Sequence, residues 1–165
     1  MKRLFLIAVA LIGVGFSAKA QEANAIGLRL GDNDGFGAEV SYQRYFSESN
    51  RLELDLGWRD SKKYDAIKLT ALYQWIWNIE GGFNWYVGAG GGLGSWEFDD
   101  DNLPEPAEGD DSGTFLFIAG DIGIEYNFDI PLQLALDFRP EIYFGDDYRD
   151  DDFGPDIALA IRYRF

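Results

Sequence analysis

The last ten residues of the chain, 156–165, alternate strictly between two kinds of side chain. The apolar set is Ile157, Leu159, Ile161, Tyr163 and Phe165, and the small or charged set is Asp156, Ala158, Ala160, Arg162 and Arg164. Because successive side chains of an extended strand point to opposite faces, this period of two predicts a β-strand with one oily face and one polar face. Such a strand fits between lipid and a polar lumen.

The same alternation recurs upstream until eight strands are accounted for. The predicted strands are 25–30, 35–46, 51–59, 66–77, 83–95, 114–128, 132–144 and 156–165. Most have nine or more residues, as a tilted strand needs to cross a bilayer (about 9–11), whereas strands of soluble proteins usually have about 5–6. The pattern predicts an all-β fold, an eight-stranded antiparallel up-and-down transmembrane β-barrel in which the last strand closes against the first.

The connections between these strands differ in length at the two ends of the predicted barrel. Short turns at 47–50, 78–82 and 129–131 alternate with longer loops at 60–65, 97–113 and 145–155, and 31–35 is a short exception. Outer-membrane barrels show this asymmetry, with short periplasmic turns and longer extracellular loops.

The N-terminus has the pattern of a secretory signal peptide rather than of the fold. Lys2 and Arg3 precede the apolar run Leu4–Phe16, and Ala18-Lys19-Ala20 is a small-x-small cleavage site. The run is shorter than the roughly 20 residues of a membrane-spanning helix. We therefore expect residues 1–20 to be cleaved after Ala20 and residues 21–165 to form the barrel domain. That domain has 11 basic and 29 acidic residues, a formal charge of −18.

Alternation alone does not show whether the apolar face contacts lipid or a soluble core, because a secreted lipocalin-like barrel has the same period with the faces reversed. Three features favour the membrane barrel. No charge interrupts the middle of an apolar face, the polar face narrows in 83–95 to Gly88, Gly90, Gly92 and Gly94, and aromatic residues gather at strand ends. Two interfacial girdles are the simplest account of these aromatics. The girdle near the short turns comprises Tyr42, Phe46, Trp75, Trp77, Phe83, Trp85, Tyr126, Phe128, Tyr163 and Phe165, and the one near the long loops comprises Trp58, Trp96, Phe115 and Phe144.

The signal peptide, the eight alternating strands and the ending Tyr163-Arg164-Phe165 resemble the small outer-membrane β-barrel family that includes OmpX-like and opacity-protein-like surface barrels. The resemblance covers the whole predicted barrel domain and is one of pattern rather than of a sharp motif. It implies a Gram-negative outer membrane, an N-terminus in the periplasm and long loops outside the cell. It also implies that the assembly machinery recognises Tyr163 and Phe165, and that lipid and lipopolysaccharide surround the barrel.

Charged residues on the polar face are predicted to fill the lumen. They are Glu39, Glu53, Asp55, Asp121, Glu125, Asp137 and Glu141 against Arg29, Arg59, Lys68, Arg139, Arg162 and Arg164. Since an eight-stranded barrel is only wide enough for side chains, we expect paired networks that act as a polar plug rather than a narrow ion path.

The loops are strongly acidic, with 18 acidic residues assigned to one rim against Lys62, Lys63 and Arg149. The acids are Asp32, Asp34, Asp60, Asp65, Glu97, Asp99, Asp100, Asp101, Glu105, Glu108, Asp110, Asp111, Asp146, Asp147, Asp150, Asp151, Asp152 and Asp156. A solvated, repulsive surface is one interpretation. Divalent-cation binding is the other, since carboxylates suit Ca²⁺, and Asp32-Asn33-Asp34-Gly35 resembles the start of a calcium loop without its closing Glu.

Composition argues against several functions. The net charge of −15 disfavours nucleic acid as a partner. The chain has no Cys and no His, and barrel enzymes such as lipid A deacylases, lipid A palmitoyltransferases and omptin proteases rely on a catalytic His. We therefore expect a non-enzymatic barrel with no catalytic, cofactor or metal residues, in a structural or surface-interaction role. A small porin-like barrel that passes solutes or ions is the alternative.

Overall fold

The computed structural model describes residues 23–31, 37–60, 64–98, 112–145 and 153–165. These residues form eight strands: β1 (Asn24–Leu30), β2 (Ala38–Ser47), β3 (Asn50–Asp60), β4 (Tyr64–Glu80), β5 (Phe83–Phe98), β6 (Ser112–Asn127), β7 (Leu132–Gly145) and β8 (Phe153–Arg164). No helix in this part of the chain has the length and apolarity needed to cross a membrane.

Each strand pairs antiparallel with its neighbours in sequence, and β8 pairs with β1 to close the barrel. In the closing pair Leu28 lies opposite Ile161. At its end the Asn24 amide donates to the Phe165 carbonyl at 3.0 Å, and the Phe165 amide donates back at 2.9 Å. The predicted topology is thus confirmed, including the role of the last strand. A closed ring leaves no edge strand whose backbone groups would lack partners in lipid.

Several strands run further than the alternation predicted. β4 has 17 residues and β5 has 16, so the predicted turn 78–82 shrinks to Gly81 and Gly82. Gly81 has φ 55°, which glycine adopts without strain in a tight turn. β6 and β8 likewise begin inside the predicted loops 97–113 and 145–155. Ladder hydrogen bonds do not require apolar side chains, so strand pairing continues beyond the residues whose alternation predicted it.

The oily residues face outward and the ionic ones face inward. Leu69, Leu134 and Leu159 are 45, 38 and 59% exposed. On the inner faces Glu53, Lys68 and Asp137 are 3% exposed or less. This arrangement contradicts the reversed, soluble barrel, because water would surround apolar side chains while the charges were buried. The apolar wall therefore belongs in lipid.

Rings at the short-turn end form a belt on the outer surface. Trp77 stacks on Trp85 with centroids 4.6 Å apart, and Phe83 contacts Tyr126 at 4.5 Å. The predicted loop-side girdle is wrong for two of its members. Phe115 is only 2% exposed, and Trp96 packs against a buried cluster that contains it. Both residues lie near strand ends, but strand alternation places them on the inner face. Trp58 and Phe144 do face outward, 52 and 51% exposed.

Candidate functional site: the barrel lumen

The centre of the lumen is built around Arg29 of β1, which is 1% exposed. Its guanidinium donates to Glu39 at 3.0 Å, to Asp137 at 2.5 Å and to Asp156 at 2.6 Å. These carboxylates come from β2, β7 and β8, so one arginine joins three other strands. The rigid guanidinium, with five donors, suits such a multiple junction.

Arg139 makes a second junction from a strand two places away from β1 around the ring. It lies on β7 and reaches Glu39 at 3.3 Å, Glu53 at 3.3 Å and Asp55 at 2.6 Å, on β2 and β3. Arg162 of β8 also binds Glu53, at 2.9 Å. Because Glu39 and Glu53 are shared, the separate ion pairs become one network that crosses the barrel axis.

Sequence reasoning left Arg51 out of this network. It is fully buried and donates to Glu125 at 2.5 Å and to the Tyr45 hydroxyl at 2.7 Å. Its guanidinium also lies over the Tyr86 ring, 4.6 Å from the centroid. The signal was present, because Arg51 shares the parity of Glu53 and Asp55 on the same strand.

Asp156 requires a correction. We counted it among the acids of the loop rim, but it is fully buried and binds Arg29. β8 begins at Phe153 and carries Asp156 into the wall. Asp156 shares the parity of Ala158 and Arg162, which places it on the inner face of β8. That pattern outweighs its closeness to the acidic loop.

The other predicted lumen charges behave as follows. Lys68 binds Glu141 at 3.2 Å and Glu39 at 3.4 Å, and Asp121 accepts a hydrogen bond from Gln74. Arg164 is half-buried at the short-turn end, where it donates to the Phe128 carbonyl at 3.1 Å. The side chain of Arg59 lies outside the described residues. The network therefore extends from the short-turn mouth to the loop-side half of the lumen.

A second, apolar zone occupies the loop-side half. We call Phe115, Phe117 and Tyr143, with Leu72 packed against them, the aromatic layer. The ring centroid of Tyr143 lies 5.6 Å from that of Phe115 and 5.3 Å from that of Phe117. The layer contacts the ionic network directly, since Lys68 lies 5.4 Å from the Phe117 centroid and the Tyr143 hydroxyl donates to Glu141.

The aromatic layer explains the two glycines of β5 nearest the loops, Gly92 and Gly94. A Cβ on Gly92 would overlap the Leu69 carbonyl oxygen and lie 2.5 Å from Cζ of Phe117, and a Cβ on Gly94 would overlap the Phe115 ring. The glycines therefore leave the space that the two rings occupy, rather than an open path.

Substituting alanine for Gly92 is expected to destabilise the barrel by about 1–3 kcal/mol, because a fixed carbonyl oxygen stands in the way of the new methyl group. Gly120→Ala is the matched control, since its Cβ would meet Pro140 Cγ at an ordinary 3.4 Å. Urea unfolding in detergent micelles, followed by tryptophan fluorescence, measures both. Equal stability of the two variants would contradict the packing argument.

Most of the inner carboxylates are held in ion pairs. Within the described ranges, no group of three or more Asp, Glu, His or Cys side chains is arranged to hold a metal ion. Most acids of the rim, including the calcium-like stretch 32–35, lie outside the described residues. Asp65 and Glu97 are described and exposed, and with Trp96 they line a cavity of about 620 Å³.

No protein-family model matches the chain, and no curated protein matches it in sequence. Solved structures do match. Neisserial surface protein A is 12% identical with a TM-score of 0.60, over 86% of this chain and 94% of that one. The N-terminal barrel domain of Pseudomonas aeruginosa OprF is 16% identical (TM-score 0.54, over 86% and 95%). Yersinia pestis Ail, also solved with the heparin analogue sucrose octasulfate, is 17% identical (TM-score 0.53, over 86% and 96%). The chain therefore has the fold of the small eight-stranded outer-membrane β-barrels.

Proposed function

We propose that the protein is a non-enzymatic integral protein of a Gram-negative outer membrane, with a structural or surface-interaction role. The observation that carries this proposal is the apolar wall around a continuous ion-paired network. Such a wall is stable only in lipid, and a lumen crossed by Arg29 and Arg139 junctions has its space taken by side chains. The packed lumen favours this role over the small porin.

The location rests on three supports. Residues 1–20 have the pattern of a signal peptide cleaved after Ala20. The structures that share the fold include the surface protein of Neisseria and the attachment protein Ail. Tyr163 and Phe165 lie on the outward face of the last strand, each 39% exposed, where the assembly machinery can reach them.

Outer-membrane lipid and lipopolysaccharide are the proposed surroundings of the wall and its aromatic belt. The heparin-analogue complex of Ail does not carry over to this chain. A polyanion needs a basic surface, whereas the sequence places long acidic runs in 97–113 and 145–155. The proposed surface role of the loops is therefore one toward neutral or cationic soluble partners.

The proposal predicts heat-dependent mobility on SDS gels. The purified protein should migrate faster unheated than boiled, because the closed barrel resists SDS until heating unfolds it. The same preparation should fractionate with outer membranes and require detergent for release, and mass spectrometry should place its N-terminus at Gln21. Identical mobility together with release into plain buffer would contradict membrane insertion. A purified protein that still carries residues 1–20 would contradict only the predicted cleavage.

A further inference from the structure

The pairing between β6 and β7 is interrupted near the middle of both strands. Ala119 pairs with Glu141, and the next pair is Ile122 with Phe138, so two residues of each strand lie between them without a partner across this seam. These four residues, which we call the β6–β7 gap, are Gly120, Asp121, Arg139 and Pro140. The pairing of β6 with β5 and of β7 with β8 is continuous over the same residues. The interruption is therefore confined to one seam of the wall.

Pro140 accounts for the gap. Proline has no backbone N–H, and Pro140 lies opposite a second proline, Pro155 of β8. Opposite residues of antiparallel strands either exchange two N–H···O bonds or form a non-hydrogen-bonded pair, and two prolines can form only the second kind. In that kind of pair each backbone nitrogen points away from the partner strand. The nitrogen of Pro140 therefore points to β6 at the level of Gly120, where the hydrogen bond that would join the strands has no donor.

Among the described side chains, no hydrogen bond or ion pair bridges the gap. On the outer face Gly120 has no side chain, and its neighbour on β5 is only Ala89. On the inner face Asp121 accepts from Gln74 of β4, whereas Arg139 binds carboxylates of β2 and β3. Asp121 Oδ1 and Arg139 Nε have no hydrogen-bond partner in this part of the chain. The two inner residues of the gap are thus bound to other strands and not to each other.

The seam is held on both sides of the gap. Toward the short-turn end Gln133 donates to Glu125 at 3.3 Å, and toward the loops the Tyr143 ring lies 5.3 Å from that of Phe117. Proteins open locally where backbone hydrogen bonds and buried contacts are fewest. The gap lacks both kinds of contact across the seam, whereas its flanks have them. Strands β6 and β7 can therefore separate at the gap while the ring stays closed elsewhere.

We propose that the β6–β7 gap is the place where the barrel wall opens locally, as a window of four residues between the bilayer and the lumen. Opening uncovers Asp121 and Arg139 on the lipid side while the flanking pairs stay formed. The carbonyl oxygen of Gly120, which lacks its ladder donor in the hydrocarbon region, makes this the weakest part of the wall. The window is a property of the wall and does not depend on the surface role proposed above.

Amide hydrogen exchange of the folded protein in detergent micelles, resolved by NMR, tests the proposal. Amides of an antiparallel strand point alternately to its two neighbours, so those of Gly120 and Ile122 face β7 and those of Asp121 and Gly123 face β5. We expect protection factors at the first two residues at least about tenfold below those at the other two. Exchange at Gly120 and Ile122 should also be insensitive to low concentrations of urea, since urea accelerates only openings that expose much surface.

The variant Pro140→Val supplies the missing N–H group. It should raise protection at Gly120 and Ile122 about tenfold, to the level of their neighbours in β6. Pro155→Val is the matched control, because it changes the other member of the same proline pair, whose nitrogen points away from β7. Exchange at Gly120 and Ile122 should not change in the control.

Equal protection of Gly120, Asp121, Ile122 and Gly123 in the wild-type protein would overturn the window. A Pro140→Val variant that shows heat-dependent mobility on SDS gels but keeps the fast exchange would overturn it as well, because the missing hydrogen bond would not be the cause. A strong urea dependence at Gly120 and Ile122 would show global unfolding instead of local opening. Should Pro140→Val fail to fold, Pro140→Ala is measured and read in the same way.

Discussion

Replacing Arg139 with alanine is expected to lower the free energy of unfolding by about 3–5 kcal/mol, because the change leaves buried carboxylates without their partner. Arg139 is fully buried and reaches Glu39, Glu53 and Asp55 on the opposite wall. Glu39 and Glu53 keep other partners in Arg29 and Arg162, whereas Asp55 has no second ion pair among the residues that the structure describes. The cost of leaving the buried Asp55 carboxyl group without its partner therefore accounts for most of the expected loss.

Urea unfolding in micelles or vesicles measures this effect. Arg44→Ala is the control: Arg44 is exposed and donates to the Asn24 side chain at 2.9 Å, so its loss should change stability by only about 0.5 kcal/mol. Asp55→Asn in the Arg139→Ala background should restore part of the lost stability, since it removes the carboxyl group that has lost its partner. If Arg139→Ala behaved like Arg44→Ala, the network would not stabilise the barrel. Because the other buried side chains still fill the lumen, this variant should change stability far more than conductance.

Leu159→Arg is expected to destabilise the inserted barrel by about 2–4 kcal/mol, the cost of an arginine near the middle of a bilayer. Leu159 lies halfway along β8, is 59% exposed, and has Leu30 and Leu136 as its cross-strand neighbours. An arginine there has only lipid and apolar side chains around its charge.

The matched control is Ile130→Arg, at an equally exposed residue (60%) in the connection between β6 and β7 at the short-turn end. Near the interface the same substitution should cost about 0–1 kcal/mol, because the guanidinium reaches water and headgroups. Reversible folding into phosphatidylcholine vesicles gives both values. No difference between the two sites would mean that the wall is surrounded by water rather than hydrocarbon.

The sequence by itself determined the number of strands, their order around the ring and the direction in which nearly every side chain points. Leu69, Leu134 and Lys68 could be oriented without coordinates, because alternation is a local property of an extended chain and one residue of slippage would reverse every face. The resemblance of the ending Tyr163-Arg164-Phe165 to small outer-membrane barrels came from the same pattern. So did the pairing of β8 with β1, because in a closed barrel the first and last strands have only each other left as partners.

Only the tertiary structure decided which inner side chains meet. Arg29 and Asp156 are 127 positions apart in the chain, and Arg139 and Asp55 are 84 apart. Such contacts depend on strand stagger and barrel width, which alternation does not contain. Phe115 and Trp96 were assigned to the girdle for a different reason, because their closeness to the loops was given more weight than the alternation that places both on the inner face. The period of two can be read from neighbouring residues, whereas contacts between side chains across the lumen form only when the ring has closed.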